Sequence, residues 1–571
     1  MKKNFRCLVS FFLFFPIYVE AQVKPEPAFF SYPLGIKVKL NANYGEMRPN
    51  HFHMGLDLST ESRQNLPIYA PADGYIARIK IEQGGFGRAL YINHPNGLTT
   101  LFAHMNRFIP AAEQYLWLKQ HEQESWKIDL TVPEAVLPVK KGELIGYSGN
   151  TGASQGPHVH FEIRDTQTEN CYNPLRLKFP IIDQSPPIIY RLLFYNREKS
   201  VYEQSPLSVP LIKVGNIYKP AGIVTLPYSK TFIAVQAIDK ITGAPNQYGI
   251  FKASLFSGQN LITSFALDSI GYDKTRYLNG HIDFLSRFKG GGYYQMLFPP
   301  TEIAPGIYAE GSKKYIELPS TPSTPSTSST SSTFTLNISD AADNVSTATF
   351  DLQADIKKET EINQLGELMT PGNLNVFEND LIRFVFKEDA FYDAFHFKCN
   401  ATYLGGKEVV SSLFQALPEY IPVQSYFSVS IKPNRAFALI NPDKIVMQRT
   451  FRGKTELKKA NLEMGFFTAS FRDFGFFKLL EDLSPPIITA NIFNGKVINK
   501  TTRIVLDISD NNKVIKDFRA TLDGKWVMFL PSGNRFSYFP DQQLLPGEHK
   551  LSVVVYDEAG NMASKEWNLN R

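Results

Sequence analysis

Gly156-Pro157-His158-Val159-His160-Phe161-Glu162 is the stretch on which the reading of this chain turns. In a strand, side chains two residues apart share a face. His158 and His160 then project together, while Val159 and Phe161 face the opposite way into a core. Pro157 suits the first residue of an edge strand. Upstream, His53-Met54-Gly55-Leu56-Asp57 gives H-x3-D. An extended backbone would put His53 and Asp57 on one face, with Gly55 between them permitting close approach of another backbone. Ala103-His104 ends a further strand-like run. Imidazole and carboxylate are the ligands of catalytic zinc sites, which take three protein groups and keep a fourth position for water. Five candidates exceed three ligands by two, and such a site also needs groups that accept a proton and support an oxyanion. Structural zinc usually recruits cysteine, and Cys171, the one cysteine of this region, lies outside the motifs.

The surroundings read as β-structure. Seven of the ten histidines fall in the first 165 residues, as His51, His53, His94, His104, His121, His158 and His160. From Pro67 to Leu101, short apolar runs alternate with Gly, Asp and Asn turns, the spacing of antiparallel hairpins. Ala111 to Trp126 departs from this: it is rich in helix formers, with Tyr115 and Leu118 at i, i+3 spacing. It reads as a helical insertion near the site, packed on the flank of the domain rather than over the site as a lid.

A length of 571 residues is too long for one core. Composition points to a mostly β, turn-rich protein, with 44 Phe and 27 Tyr punctuated by 37 Gly and 37 Pro. A formal charge of +5 is small for this size and argues against a nucleic-acid surface. Lys2, Lys3 and Arg6 precede an apolar run from Cys7 to Val19, and Val19-Glu20-Ala21 resembles a cleavage site. Residues 1–21 are therefore expected to be a signal peptide. The apolar run falls short of the roughly 20 residues of a membrane span, so no span is expected after cleavage and the chain is read as periplasmic or secreted. Cys171 and Cys399, left after removal of Cys7, are not a disulfide framework.

A short repeat marks boundaries. Ser185-Pro186-Pro187-Ile188-Ile189 recurs as Ser484-Pro485-Pro486-Ile487-Ile488, where diproline blocks helix and central strand. Ser339-Asp340-Ala341-Ala342-Asp343-Asn344 resembles Tyr556-Asp557-Glu558-Ala559-Gly560-Asn561, a closing hairpin of an immunoglobulin-like sandwich. The expected domains are the histidine-rich unit at 22–180 and β-sandwiches at 185–355, 366–483 and 484–571, the last immunoglobulin-like. Residues 319–333 (PSTPSTPSTSSTSST from Pro319) cannot pack a core and read as a loop inside the first sandwich.

The stretches quoted above, with Leu101-Phe102-Ala103-His104 and Ile145-Gly146-Tyr147-Ser148-Gly149-Asn150-Thr151-Gly152, resemble the lysostaphin-type (LytM-like) zinc metallopeptidases, which cut peptide stems or bridges of bacterial peptidoglycan. The resemblance covers about residues 35–175. It implies an antiparallel β-sheet peptidase domain holding one Zn²⁺ per chain, with His53, Asp57 and His160 as ligands. It further implies that His104 and His158 orient or deprotonate water and stabilise the oxyanion. Family members that only regulate other hydrolases have typically lost ligands, and this chain keeps all five positions. Two departures stand out. The segment between His104 and Val139-Lys140-Lys141-Gly142 is long, and the family's assisting tyrosine has no evident equivalent, with Tyr44 and Arg48 as substitutes by position. The expected function is an exported zinc endopeptidase of peptidoglycan. In the alternative, the module is a non-catalytic scaffold that binds peptidoglycan or regulates another wall hydrolase. The sandwiches would hold the wall or a cell-envelope partner protein.

Overall fold

The Val159–Phe161–Ile163 face of the strand His158–Asp165 is wholly buried, and the sheet of the N-terminal unit is built around it. In the computed structural model, which describes residues 29–300, 306–319, 331–356, 365–540 and 544–571, the main path of this sheet has seven strands. Their order is Leu40–Ala42, Leu56–Ser59, His158–Asp165, Leu98–Ala103, Arg88–Asn93, Gly74–Ile81 and Ile128–Thr131, all antiparallel. The expected signal segment and residues 320–330 of the Ser/Thr/Pro loop lie outside the described residues. A small second sheet joins Pro67–Tyr69, Leu144–Tyr147 and Arg107–Phe108.

The strand with the two histidines is central, flanked by Leu56–Ser59 and Leu98–Ala103, and Pro157 stands one residue ahead of it. The expected edge strand is thus not what forms: proline's missing N–H lies just outside the ladder and costs it nothing. The other face of the strand carries His160, Glu162 and Arg164, all buried. Three buried polar groups in a row need partners, and the site supplies them.

Pro110–Glu122 forms the helix, with proline in its first turn. Its buried residues are Ala112, Leu116 and Gln120, an i, i+4, i+8 stripe, whereas Leu118 of the expected pair is exposed. The helix is tied to the sheet by an Arg88–Glu113 ion pair. Its far end meets the C-terminal sandwich: the His121 and Trp526 rings lie 5.3 Å apart, and Glu124 pairs with Arg519.

Downstream the chain forms three two-sheet sandwiches. The first contains the long strands Ile188–Asn196 and Lys230–Ile238 in one sheet, with Lys252–Ser257, Ser332–Ser339 and Val345–Ala354 in the other. The second spans strands from Glu367–Met369 to Phe476–Glu481, and the third from Ile487–Ala490 to Met562–Asn570. The second and third have their own cores, rich in Phe384, Phe386 and Phe427 in one case and centred on Val553 and Trp567 in the other.

The first sandwich is different. One contiguous apolar core runs from Phe30 in the N-terminal unit to Ala354 in that sandwich. Cys171–Tyr172 pairs with Ser269–Ile270, so the main sheet itself crosses the junction. Leu267 and Ile270 are buried there, each contributing about 1.5–3 kcal/mol by removal from water.

Candidate metal centre

His160 lies opposite Asp57 on one neighbouring strand and opposite Ala103 on the other. That register puts His160 and Asp57 on one face beside Ala103, and the left-handed backbone at His104 turns its ring to the same spot, 6.0 Å from that of His160. His53 arrives differently. It follows the short strand His51–Phe52 and precedes Leu56–Ser59, so the expected continuous extended segment does not form. The chain turns at His53–Gly55 because Gly55 passes against the next strand: a Cβ there would meet the Phe161 carbonyl oxygen at 2.4 Å.

His53 Nε2, Asp57 Oδ1 and His160 Nδ1 form a triangle with three edges of 3.0 Å. All three residues are buried. The remaining nitrogens are committed. His53 Nδ1–H donates to the Asn43 carbonyl at 2.7 Å, and His160 Nε2–H donates to Glu162 Oε1 at 2.7 Å. In the neutral rings, the nitrogens facing Asp57 therefore carry bare lone pairs. Three lone-pair donors at this separation repel one another unless positive charge lies among them. A tetrahedral ion with donors at about 2.0–2.1 Å holds them roughly 3.3 Å apart, close to the observed edges. The donor set thus fits zinc. Without an ion, a proton on His160 supplies that charge. Burial opposes charge on His160, yet hydrogen bonds to Asp57 and Glu162 lift it to about 9. Burial would raise Asp57, but His53 and the hydrogen bonds from His158 and His160 hold it well below the usual carboxylate range. Arg48 takes its other oxygen, Oδ2, at 2.6 Å and leaves Oδ1 for the centre.

His104 and His158 stand beside the triangle, their rings 4.8 Å apart. Each anchors Nδ1 to backbone, on Thr151 O and Gly156 O respectively, both at 2.8 Å. Their Nε2 atoms remain for chemistry, that of His158 lying 3.4 Å from Asp57 Oδ1. His104 adopts φ +62°, a left-handed conformation that costs a non-glycine residue about 1–3 kcal/mol and is a known form of stored strain at functional sites. Its own N–H, bonded to Phe86 O at 3.0 Å, helps hold it there. Burial, with His160 and His158 nearby, pushes His104 down to about 4, which keeps its ring neutral near pH 7.

Three contributors escaped the sequence reading. Glu162 is fully buried and accepts from His160, Arg164, Cys171 and Tyr272. Burial would raise it, but Arg164 and His160 bring it down to about 2. Tyr272 comes from the first sandwich. Asn43 is held from there too, by a two-way amide pairing with the Gly249 backbone at 2.9 and 3.1 Å. The second nitrogens of both ligand-type histidines are thus tied to the neighbouring sandwich. The alternation His160–Glu162 was a usable signal for Glu162; nothing local points to Tyr272. Tyr44, one of the two substitutes for the missing tyrosine, instead donates to Cys171 O at 2.7 Å in the core. The other, Arg48, does reach the centre through Asp57. His51, His94 and His121 bond elsewhere, to Pro49, to Asp73 and Thr100, and to Trp117.

Comparison with known proteins gives the same region. Residues 51–120 and 134–174 match the model of peptidase family M23, and residues 366–482 match that of a Zu5-like domain. An uncharacterized metalloprotease of Haemophilus influenzae is 33% identical over 136 residues, 24% of this chain and 22% of that protein. The DD-carboxypeptidase/endopeptidase Mpg of Neisseria meningitidis is 36% identical over 112 residues, 20% of each chain. The peptidoglycan DD-endopeptidase ShyA of Vibrio cholerae is 25% identical over 142 residues, 24% of this chain and 27% of that one. The chain thus spans about a fifth to a quarter of the length of these relatives. Among solved structures, the catalytic domain of the M23 protein EnpA from Enterococcus faecalis is 24% identical, with a TM-score of 0.19, covering 26% of this chain and 95% of that one. Around its cluster of buried histidines, the chain carries a LytM-like domain of peptidase family M23.

Proposed function

We propose that the protein is an exported zinc metalloendopeptidase that hydrolyses peptide cross-links or stems of bacterial peptidoglycan, acting in the periplasm or outside the cell. The observation that carries this is the 3.0 Å triangle of lone-pair donors with every other ligand nitrogen committed. The named relatives include a peptidoglycan DD-endopeptidase, which supports the substrate class. No helix among the described residues is long and apolar enough to cross a membrane.

His53, Asp57 and His160 would hold the ion. Zinc, when bound, supplies Lewis-acid chemistry, polarising a carbonyl and acidifying water. The chain's own groups do the rest. An imidazole Nε2 of His104 or His158 takes the proton that water releases as its oxygen joins the carbonyl carbon. The other imidazole, once it carries a proton on Nε2, hydrogen-bonds the oxyanion. When the C–N bond breaks, the proton passes to the departing amine. General acid–base assistance of this kind contributes about 10²–10⁴-fold.

The test pairs zinc content with release of muropeptides. The chain should hold one zinc and digest peptidoglycan; His53→Ala should lose both. His158→Ala should keep zinc and lose about 10²-fold or more in rate. Digestion at an unchanged rate in either variant removes this site from the reaction. Zinc without any cleavage by the unaltered chain would instead make the module a binding scaffold.

A further inference from the structure

The sequence repeat left two features unexplained, and the structure joins them. Asp183, two residues before Ser185-Pro186-Pro187, lies with Asp239 and Asp340 in one cluster; their carboxylate oxygens are within 4.8 Å of one another. Asp482, two residues before Ser484-Pro485-Pro486, does the same with Asp510 and Asp557. The two sets occupy equivalent places. The first aspartate enters a sandwich, the second follows a strand of that sandwich, and the third sits in the turn of its closing hairpin.

The framing contacts repeat as well. Asn344 N–H donates to Asp340 Oδ1 and its side chain to Asp340 Oδ2 and to the Asp183 carbonyl. Asn561 does likewise with Asp557 and the Asp482 carbonyl. These bonds shape the cluster without neutralising it. None of the six carboxylates has a Lys or Arg ion pair among the described residues. Lys444 and Lys459 reach the second hairpin with their ammonium groups on the carbonyls of Gly560 and Ala559, and Lys459 N–H donates to Glu558, so neither ammonium group forms an ion pair with a carboxylate of the cluster.

A second observation points to a ligand. Asp239 is 3% exposed, and its Oδ1 is buried with no hydrogen-bond partner. In the other copy Asp510 is half-buried, and its Oδ1 is likewise shielded with no hydrogen-bond partner. A buried carboxylate oxygen without a donor is costly unless a cation meets it. Burial, with Asp340 and Asp183 beside it, pushes Asp239 up to about 8, as expected of a group facing uncompensated negative charge.

We propose that each of the two three-aspartate clusters binds one calcium ion, locking the entering segment to its sandwich. Hard all-oxygen donors select a hard cation, and calcium accepts an irregular cage at about 2.3–2.6 Å where magnesium demands an octahedron and keeps its waters. The first joint is the one that connects the peptidase domain to the sandwich that holds Asn43 and Tyr272.

The experiment uses the full chain, stripped of metals on a chelating resin, reloaded with one equivalent of zinc and titrated calorimetrically with calcium chloride. Two calcium ions per chain are expected. Asp239→Asn and Asp510→Asn should each bind one, and the double variant none. Thermal midpoints supply a second readout. Without calcium, Asp239→Asn should melt at or above the unaltered chain, since it removes buried like charge. With calcium the order should invert, by several degrees. Absence of uptake at millimolar calcium, uptake unchanged by both substitutions, or equal uptake of magnesium would overturn the assignment. So would failure of Asp239→Asn to fold without calcium, and Asp510→Asn tests the second, less buried copy on its own.

Discussion

The Tyr272 hydroxyl and the His160 imidazole share one oxygen: both donate to Glu162 Oε1, one from the first sandwich and one from the candidate metal centre. Arg164 takes the other oxygen at 2.6 Å and lies over the Tyr272 ring at 4.5 Å. Glu162 is therefore held on both sides, and with it the orientation of His160. Partners of this kind fix the ring and raise its basicity, and their loss typically costs 10–100-fold in metal affinity or activity.

Tyr272→Phe should therefore weaken zinc binding by about 10-fold while leaving the fold intact, because the ring keeps its contacts with Arg164 and Phe86. Competition with a chelating dye measures the affinity, and the melting midpoint checks the fold. Zinc affinity equal to that of the unaltered chain would mean that Arg164 and Cys171 suffice to position Glu162.

The shared core carries a broader consequence. Tyr248 donates to the Leu40 carbonyl at 3.0 Å, Gly249 pairs with Asn43, and Asn43 in turn orients His53. A chain ending at residue 182 would lose all of these and expose the face that covers Leu267 and Ile270. It should be poorly soluble or melt well below a chain ending at residue 356, and bind zinc at least about 10-fold more weakly. Equal melting and zinc affinity of the two truncated chains would show that the peptidase domain stands alone.

The centre was legible because part of it obeys strand periodicity. His158 and His160 share a face, Asp57 lies in register with His160, and Ala103-His104 ends the adjoining strand. What was not legible depends on distant pairing. Tyr272 is 110 positions from Glu162, and no local pattern distinguishes it from a core tyrosine. The helix illustrates another limit. Its residue types announced a helix, but the choice of Ala112, Leu116 and Gln120 over Leu118 as the inner face is made by the core against which Ala112 and Leu116 pack. The His53–Gly55 turn was hidden for a similar reason, since it exists to let Gly55 lie against Phe161.

Two histidines remote from the centre set an acid limit. His94 donates from Nδ1 to Asp73 O and accepts at Nε2 from Thr100, a neutral ring with both nitrogens satisfied. His281 donates to the Tyr308 hydroxyl, whose own proton goes to Met296 O. Burial pushes the first down to about 4 and the second to about 3. Unfolded, each would titrate near 6.5. Between these values the unfolded chain binds more protons than the folded one, so stability falls as pH drops below about 6.5. At pH 5 each histidine should cost about 2 kcal/mol relative to pH 8. His94→Gln and His281→Gln should each shrink the difference between urea midpoints at pH 8 and pH 5, even where they lower both. A pH dependence left unchanged in both variants would show that the loss of stability in acid comes from other groups.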